Sequence, residues 1–165
     1  MTTQDIHDLI KINFQDAVID AKLESVSDPF IKVAVEKIKE IAIFLRDDER
    51  LQFDYLMCLS GVDLSQRDGF PKGKLAVVYH LFSMTHKHKI ILKVEVPTDA
   101  PTVPSVESIW KTANWHEREA FDLYGIQFTN HPDLRRILLP YDWEGFPLRK
   151  DYQVPEYYNG MKVPY

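Results

Sequence analysis

The chain has 165 residues, of which 45% are apolar and 27% are charged, and this is the composition of an ordinary globular domain. Its 20 basic and 25 acidic residues give a formal net charge of −5, which argues against a general nucleic-acid binder. The single cysteine, Cys58, excludes an intramolecular disulfide and cannot supply the four thiolates of an iron–sulfur cluster.

The first part of the chain predicts two helices and a sheet. Helical spacing of apolar residues predicts one helix over residues 3–14, capped by Thr2 or Thr3, and another after Glu36. The stripe of that second helix consists of Ile38, Ile41, Ala42 and Leu45. Strands are predicted over residues 17–25, 31–35, 53–60, 74–84 and 88–96. The segment 74–84 is apolar on both faces and therefore central. The predicted class is α+β, a mixed or antiparallel sheet with helices packed on one face.

Two further helices are predicted in the second part of the chain. Ser105 is expected to cap a short helix over residues 105–111. A longer helix follows over residues 115–124, with Asn114 as its cap, Glu117 in the capping-box position and Gly125 as the terminating residue.

Charged side chains recur on one face of this longer helix. Helical geometry puts four residues together, namely Trp115, Arg118, Glu119 and Asp122. Arg118 and Asp122 are four positions apart and can pair. The pattern leaves two interpretations open: a solvated face of little energetic weight, or a buried or interfacial network in which carboxylates hold Arg118.

The last segment predicts an irregular arm. We expect an α+β domain over residues 1–130 and an extended C-terminal arm, rich in proline and tyrosine, over residues 131–165. The arm shows no sustained periodicity, and its aromatic residues argue against disorder. It has as many basic as acidic residues, as suits a charge-matched protein interface. It either folds back on its own domain or lies over another protein, and its tyrosine and tryptophan residues, which are enriched at interface anchors, favour the partner.

Motifs of catalysis and metal binding are not recognisable. Residues 116–120 begin like the zinc motif HExxH, but Ala120 stands where the second histidine is needed. No signal peptide is expected, and the longest apolar runs fall far short of the ~18 residues that a membrane span needs. One enzymatic alternative remains, a free-standing acid–base enzyme that uses Glu117, Glu119 and Asp122 with His116 or His131.

Read together, segments of the second part resemble the signature of one family. They are ERExxDLYGIxF at residues 117–128, HPDLRR at residues 131–136 and WEGFPLRKDY at residues 143–152. This pattern resembles the C subunit of proton-pumping NADH:quinone oxidoreductase (respiratory complex I), also called its thirty-kilodalton subunit. It is similar to the counterpart of that subunit in plastids and cyanobacteria, which carries the letter J.

The resemblance implies a peripheral-arm component of a multisubunit translocase with no catalytic, cofactor-binding or metal-binding residue of its own. Iron–sulfur clusters, FMN and quinone are expected in partner subunits. The implied partners are the hydrogenase-like subunit, whose cleft binds quinone, the small subunit with the terminal iron–sulfur cluster, and other peripheral-arm subunits. The implied location is the cytoplasmic face of the inner membrane, with membrane contact only through the complex. The same role in a ferredoxin-fed or hydrogenase-type membrane complex is the alternative.

The signature positions are expected to have structural and partner-interface roles. They are Glu117, Arg118, Glu119, Asp122, Gly125, His131, Pro132, Arg135, Arg136, Pro147, Arg149, Lys150, Asp151 and Tyr152.

Overall fold

The computed structural model describes residues 1–24, 28–65 and 73–163. Helices within these residues are α1 (Thr3–Asn13), α2 (Ile38–Asp47) and α3 (Ala113–Tyr124). The strands are β1 (Val18–Lys22), β2 (Phe30–Val33), β3 (Tyr55–Asp63), β4 (Lys74–Phe82), β5 (Lys89–Pro97), β6 (Thr102–Pro104), β7 (Gln127–Thr129), β8 (Tyr157–Tyr158) and β9 (Met161–Lys162).

Five strands form a mixed sheet in the order β1-β2-β5-β4-β3. All neighbours are antiparallel except β2 and β5, which run parallel with Phe30 opposite Ile91. Strand β4 has a neighbour on each side, as its apolar sequence predicted. The predicted α+β class with a mixed sheet is therefore confirmed.

The core lies between one face of the sheet and the helices. Alternate residues of β4 and β5 point into it, and the predicted stripe of α2 is at most 1% exposed at every position. Apolar residues of α1 and α3 join the same cluster, which confirms that the helices pack on one face. The members that come from helices are Ile6, Ile10, Ile38, Ile41, Ala42, Leu45, Ala113 and Ala120.

Helix α1 starts as the sequence predicted. The Thr2 hydroxyl accepts a hydrogen bond from the Asp5 N–H at 3.2 Å, and the Asp5 carboxylate accepts one from the Thr2 N–H at 2.8 Å. This reciprocal capping box satisfies two N–H groups that the first turn of a helix leaves without partners.

Some predicted bounds are wrong. The strand expected over 31–35 ends at Val33, because Val35–Lys37 turn as a short 3-10 helix into α2. Residues 105–111 form a turn, not a helix. The segment is held by a long-range contact that local spacing does not encode, since the Trp110 indole N–H donates to the Phe53 carbonyl at 2.8 Å.

Helix α3 begins at Ala113, two residues earlier than predicted. Thr112 precedes it without a side-chain capping bond, so the expected cap by Asn114 is wrong. The predicted end is confirmed, since Gly125 takes the left-handed conformation with φ 75°. Strand β7 then pairs in parallel with β6, with Val103 opposite Phe128.

The arm has little regular structure. Residues 131–156 follow an irregular path, and β8 and β9 form a short hairpin whose turn places Asn159 and Gly160 at positive φ. The last two positions of the predicted arm, 164 and 165, lie outside the described residues, as does position 25 of the strand predicted over 17–25.

Candidate functional site

The charged face of α3 is tied to the start of the arm through Asp122. One oxygen of this fully buried carboxylate accepts hydrogen bonds from the N–H groups of Ile137, Leu138 and Leu139 at 3.0, 2.7 and 2.9 Å. The other accepts one from Arg136 Nη1 at 2.7 Å. Burial alone would raise the pKa of Asp122, but these bonds outweigh it and hold the pKa below its ordinary value. Asp122 is therefore a charged anchor for the arm.

Arg118 lies beside this anchor and is 6% exposed. Its guanidinium donates to the carbonyls of Arg135 and Arg136 at 3.2 and 3.3 Å and lies 5.6 Å from the Trp115 ring centre. Arg118 is buried in a network, as the second interpretation states, but main-chain carbonyls hold it in place of carboxylates, and the pair with Asp122 that the spacing allows is not formed. The solvated-face interpretation fails, because Arg118 and Asp122 are buried although Trp115 is 66% exposed.

Arg136 carries the network further along the arm. Its Nη2 donates to the carbonyls of Trp143 and Gly145 at 3.0 and 3.1 Å. The Phe146 ring packs against Gly125, so closely that a Cβ at Gly125 would lie 2.6 Å from a ring carbon. Gly125 is thus needed for two reasons. Its positive φ ends α3, and its lack of a side chain leaves room for the Phe146 ring of the arm.

The basic pair Arg149 and Lys150 attaches the arm to the sheet. The Lys150 N–H donates to an Asp63 carboxylate oxygen at 2.7 Å, and Lys150 Nζ donates to the Ser65 carbonyl at 2.6 Å. The Arg149 guanidinium donates to the Thr98 carbonyl. Burial would raise the pKa of Asp63, but the bonds from Lys150 and Ser65 lower it overall. Residues 131–152 therefore fold back on their own domain.

His131 braces the start of the arm. Its Nε2 is 3.1 Å from the Asn114 carbonyl, and its Nδ1 accepts a bond from the Asp133 N–H at 3.0 Å, so the neutral ring with the proton on Nε2 satisfies both contacts. Arg135 pairs with Asp133 at 2.9 Å and donates to the Tyr141 hydroxyl, all at the surface.

The remaining signature positions differ in exposure. Glu119, Pro132 and Asp151 are exposed, whereas Pro147 and Tyr152 are half-buried, with the Tyr152 ring against Gly145.

Glu117 points away from the arm and into the core. It is fully buried, and it accepts bonds from the Ser105 hydroxyl at 2.6 Å and from the Val106 N–H at 2.8 Å. The predicted capping-box role of Glu117 is therefore wrong. Burial raises its pKa to about 7, against the effect of these two bonds. The nearby Tyr79 hydroxyl is also buried, and burial followed by the charge of Glu117 raises its pKa well above the ordinary value.

The carboxylates of the enzymatic alternative have three different environments. Glu117 binds residues 105–106, Asp122 binds the arm, and Glu119 is exposed at the rim of a cavity of about 160 Å³ that His116 also lines. The structure does not bring them together as one acid–base cluster. Over the described ranges no group of three or more histidine, cysteine, aspartate or glutamate side chains could hold a metal ion.

The arm and α3 together present a set of exposed apolar side chains. Each is 50–79% exposed, and the set is Trp115, Leu138, Tyr141, Leu148, Val154, Tyr157 and Met161. Large exposed apolar surface with aromatic members is typical of protein–protein interfaces. The aromatic content of the arm, to which Tyr141 and Tyr157 belong, indicated an interface, but the sequence did not predict which side chains are exposed, because exposure of single arm residues has no periodic signal. No helix in residues 1–24, 28–65 or 73–163 is long and apolar enough to cross a membrane.

Comparisons with known proteins point to one family. Residues 31–158 match the family model described as "Respiratory-chain NADH dehydrogenase, 30 Kd subunit". The chain is 52% identical over 158 residues to the C subunit of NADH-quinone oxidoreductase from Chloroherpeton thalassium, covering 95% of this chain and 63% of that protein. It is 48% identical over 161 residues to the same subunit from Chlorobium phaeobacteroides, covering 96% of this chain and 93% of that protein.

Solved structures share the fold. A trypsin-resistant fragment of Nqo5 superposes with a TM-score of 0.63 at 29% identity, covering 78% of this chain and 97% of the fragment. A chain of the membrane-bound sulfane sulfur reductase, an archaeal respiratory membrane complex, superposes with a TM-score of 0.72 at 21% identity, covering 91% of this chain and 85% of that one.

Proposed function

Because the chain belongs to the family of the 30 kDa subunit of respiratory-chain NADH dehydrogenase, the C subunit of NADH-quinone oxidoreductase, we propose that it is a scaffold subunit of that complex. In this proposal the chain carries no cofactor and packs on the hydrogenase-like subunit with the quinone cleft, so that it holds the quinone-reducing module in the peripheral arm. The small subunit with the terminal cluster and other peripheral-arm subunits are its further neighbours. It lies at the cytoplasmic face and reaches the membrane only through the complex.

The observation that carries this proposal is an anchored arm with an apolar outer surface. Asp122 and Arg136 fix the arm to α3, and Lys150 fixes it to the sheet. A binding segment that is already ordered loses less conformational entropy on association than a free one. The arm therefore presents Tyr141 and Leu148 to a partner at low entropic cost.

The signature residues support a structural role in this scheme. The side chains of Arg118 and Asp122 on α3 bind main-chain groups of the arm, and Arg136 of the arm binds Asp122. They contribute to a partner interface by fixing the conformation of the arm. A single cysteine also leaves the chain unable to ligate an iron–sulfur cluster by itself, which fits cofactors in the neighbouring subunits.

The same scaffold role in a ferredoxin-fed or hydrogenase-type membrane complex is the second candidate. The likeness of the fold to a chain of an archaeal respiratory membrane complex is the observation that favours it. The two candidates differ in the subunits that feed electrons to the module. An NADH-linked complex contains flavin- and NADH-binding subunits, and the alternative lacks them.

The test is purification of the complex through an affinity tag on this chain, followed by mass spectrometry of the bound subunits. We expect the hydrogenase-like subunit, the small terminal-cluster subunit and the flavin- and NADH-binding subunits. A tagged chain that purifies as a free monomer from membranes and cytosol would refute the scaffold role.

Replacement of Arg118 by Ala tests the link between arm and assembly. The change leaves the carbonyls of Arg135 and Arg136 without a donor, so we expect less assembled complex on blue-native gels. Arg50→Ala is the matched control, because its ion pair with Asp48 lies at the surface. Equal assembly in both variants and normal quinone reductase activity would contradict the argument.

A further inference from the structure

The end of the arm forms a groove with aromatic walls. A cavity of about 310 Å³ lies between residues 142–144 and the β8–β9 hairpin. The Trp143 and Tyr158 rings pack against each other with their centres 5.3 Å apart, and Tyr157 lines the same cavity at 58% exposure. The Tyr158 hydroxyl donates to an Asp142 carboxylate oxygen at 3.3 Å and fixes the hairpin against the groove.

The rim of the groove carries excess negative charge. Asp142 and Glu144 line it, and Glu156 adjoins it, all exposed. Over the described ranges none of the three forms an ion pair, and the only base in the hairpin is the exposed Lys162, across from Tyr157. The basic residues earlier in the arm are already used, since Arg149 and Lys150 bind the domain.

We propose that this groove receives an arginine or lysine side chain of the partner subunit. The inference rests on the proposed function and adds the chemistry of the contact. A cation over the faces of Trp143 and Tyr157 is attracted by the ring quadrupoles, and the carboxylates of Asp142 and Glu144 complete its charge-assisted contacts.

The sign of the rim and the nature of the walls select this occupant. An acidic peptide or a phosphate would meet three carboxylates, and like-charge contacts across an interface are costly. Val154 and Met161 are exposed in the same part of the arm and offer apolar contacts for the rest of the partner segment.

The first test replaces the ring of Tyr157 in the intact complex. Tyr157→Leu removes the π face, whereas Tyr157→Phe keeps it. The complex is purified through a tag on a different subunit, and the fraction of this chain retained is measured against rising KCl. We expect about tenfold faster loss of the chain for the Leu variant and near-wild-type retention for the Phe variant. Equal behaviour of the two variants would overturn the role of the ring.

The second test neutralises the rim with the triple variant D142N/E144Q/E156Q. Amide side chains keep the size of the carboxylates, and Asn at position 142 still accepts from Tyr158. The control variant changes the net charge by the same amount at exposed carboxylates elsewhere, D16N/E24Q/D99N. We expect about tenfold weaker retention at moderate salt for the rim variant only. Equal retention of the two triple variants would overturn the proposal.

A cross-link separates this inference from the scaffold proposal. A photoreactive benzoylphenylalanine at the exposed Met161 is activated in the purified complex, and the linked peptide is sequenced by mass spectrometry. The expected product is a partner peptide with an Arg or Lys beside the linked residue. A product with lipid, or with a partner segment lacking both, overturns the groove assignment although the chain is in the complex. Absence of the wild-type chain from the complex overturns the proposed function itself.

Discussion

The pH dependence of the free energy of unfolding tests the burial of the Glu117 carboxyl group. Burial raises its pKa from 4.5 to about 7, and in the unfolded chain it returns to the ordinary value. The folded state therefore binds the proton more tightly, so the stabilisation is fully present below about pH 4.5 and is lost as pH rises through about 7. A difference of about 2.5 pKa units corresponds to a loss of about 3 kcal/mol in the free energy of unfolding between pH 4.5 and pH 8.

The variant Glu117→Gln isolates this effect. The neutral amide keeps an acceptor for the Val106 N–H, so the variant resembles the protonated wild type at every pH. The free energies of unfolding of the variant and of the wild type are measured by urea titration at each pH. We expect the difference, variant minus wild type, to increase by about 3 kcal/mol from pH 4.5 to pH 8. His88, whose pKa burial lowers, changes both proteins alike and cancels. Glu119→Gln, at an exposed site on the same helix, is the control. A difference for Glu117→Gln that stays flat with pH would refute the reasoning.

Two further substitutions test the contacts that hold the arm on α3. Asp122→Ala leaves three N–H groups without their acceptor and removes the carboxylate that pairs with Arg136, so we expect about 3–5 kcal/mol lower stability and new tryptic cleavage in the arm. The control Asp133→Ala, at the surface, changes stability by less than about 1 kcal/mol. Gly125→Ala combines left-handed strain of about 1–2 kcal/mol with a clash against Phe146, and we expect it to lower the melting temperature more than Gly160→Ala, which has similar φ and open space. Equal effects within either pair would count against the packing described.

The sequence was most informative where the structure depends on local spacing. The buried stripe of α2 and the cap at Thr2 follow from residues three or four positions apart, and both are found as predicted. The alternation along β5 likewise marks its core face, because side chains alternate in any strand. These features need no knowledge of distant segments.

The charged face of α3 was less predictable. Whether Arg118 and Asp122 face solvent or protein depends on carbonyls and N–H groups at residues 135–139, and no spacing within the helix encodes that contact. The β8–β9 hairpin, in contrast, was not predicted although it has a usable local signal. Asn159 and Gly160 are the residues preferred in two-residue hairpin turns that need positive φ at both positions.

The buried carboxylate of Asp122 is bound by residues that come later in the chain. The donors to its side-chain oxygens lie 14–17 residues further along the chain, so a chain that ends before residue 136 lacks all of these donors. A product that stops earlier keeps most of its apolar core but never acquires the outer surface formed by the arm. Arg149 and Lys150, further along the chain, add the second attachment of the arm to the domain. The surface of the arm is therefore complete only in a chain that extends past both attachments.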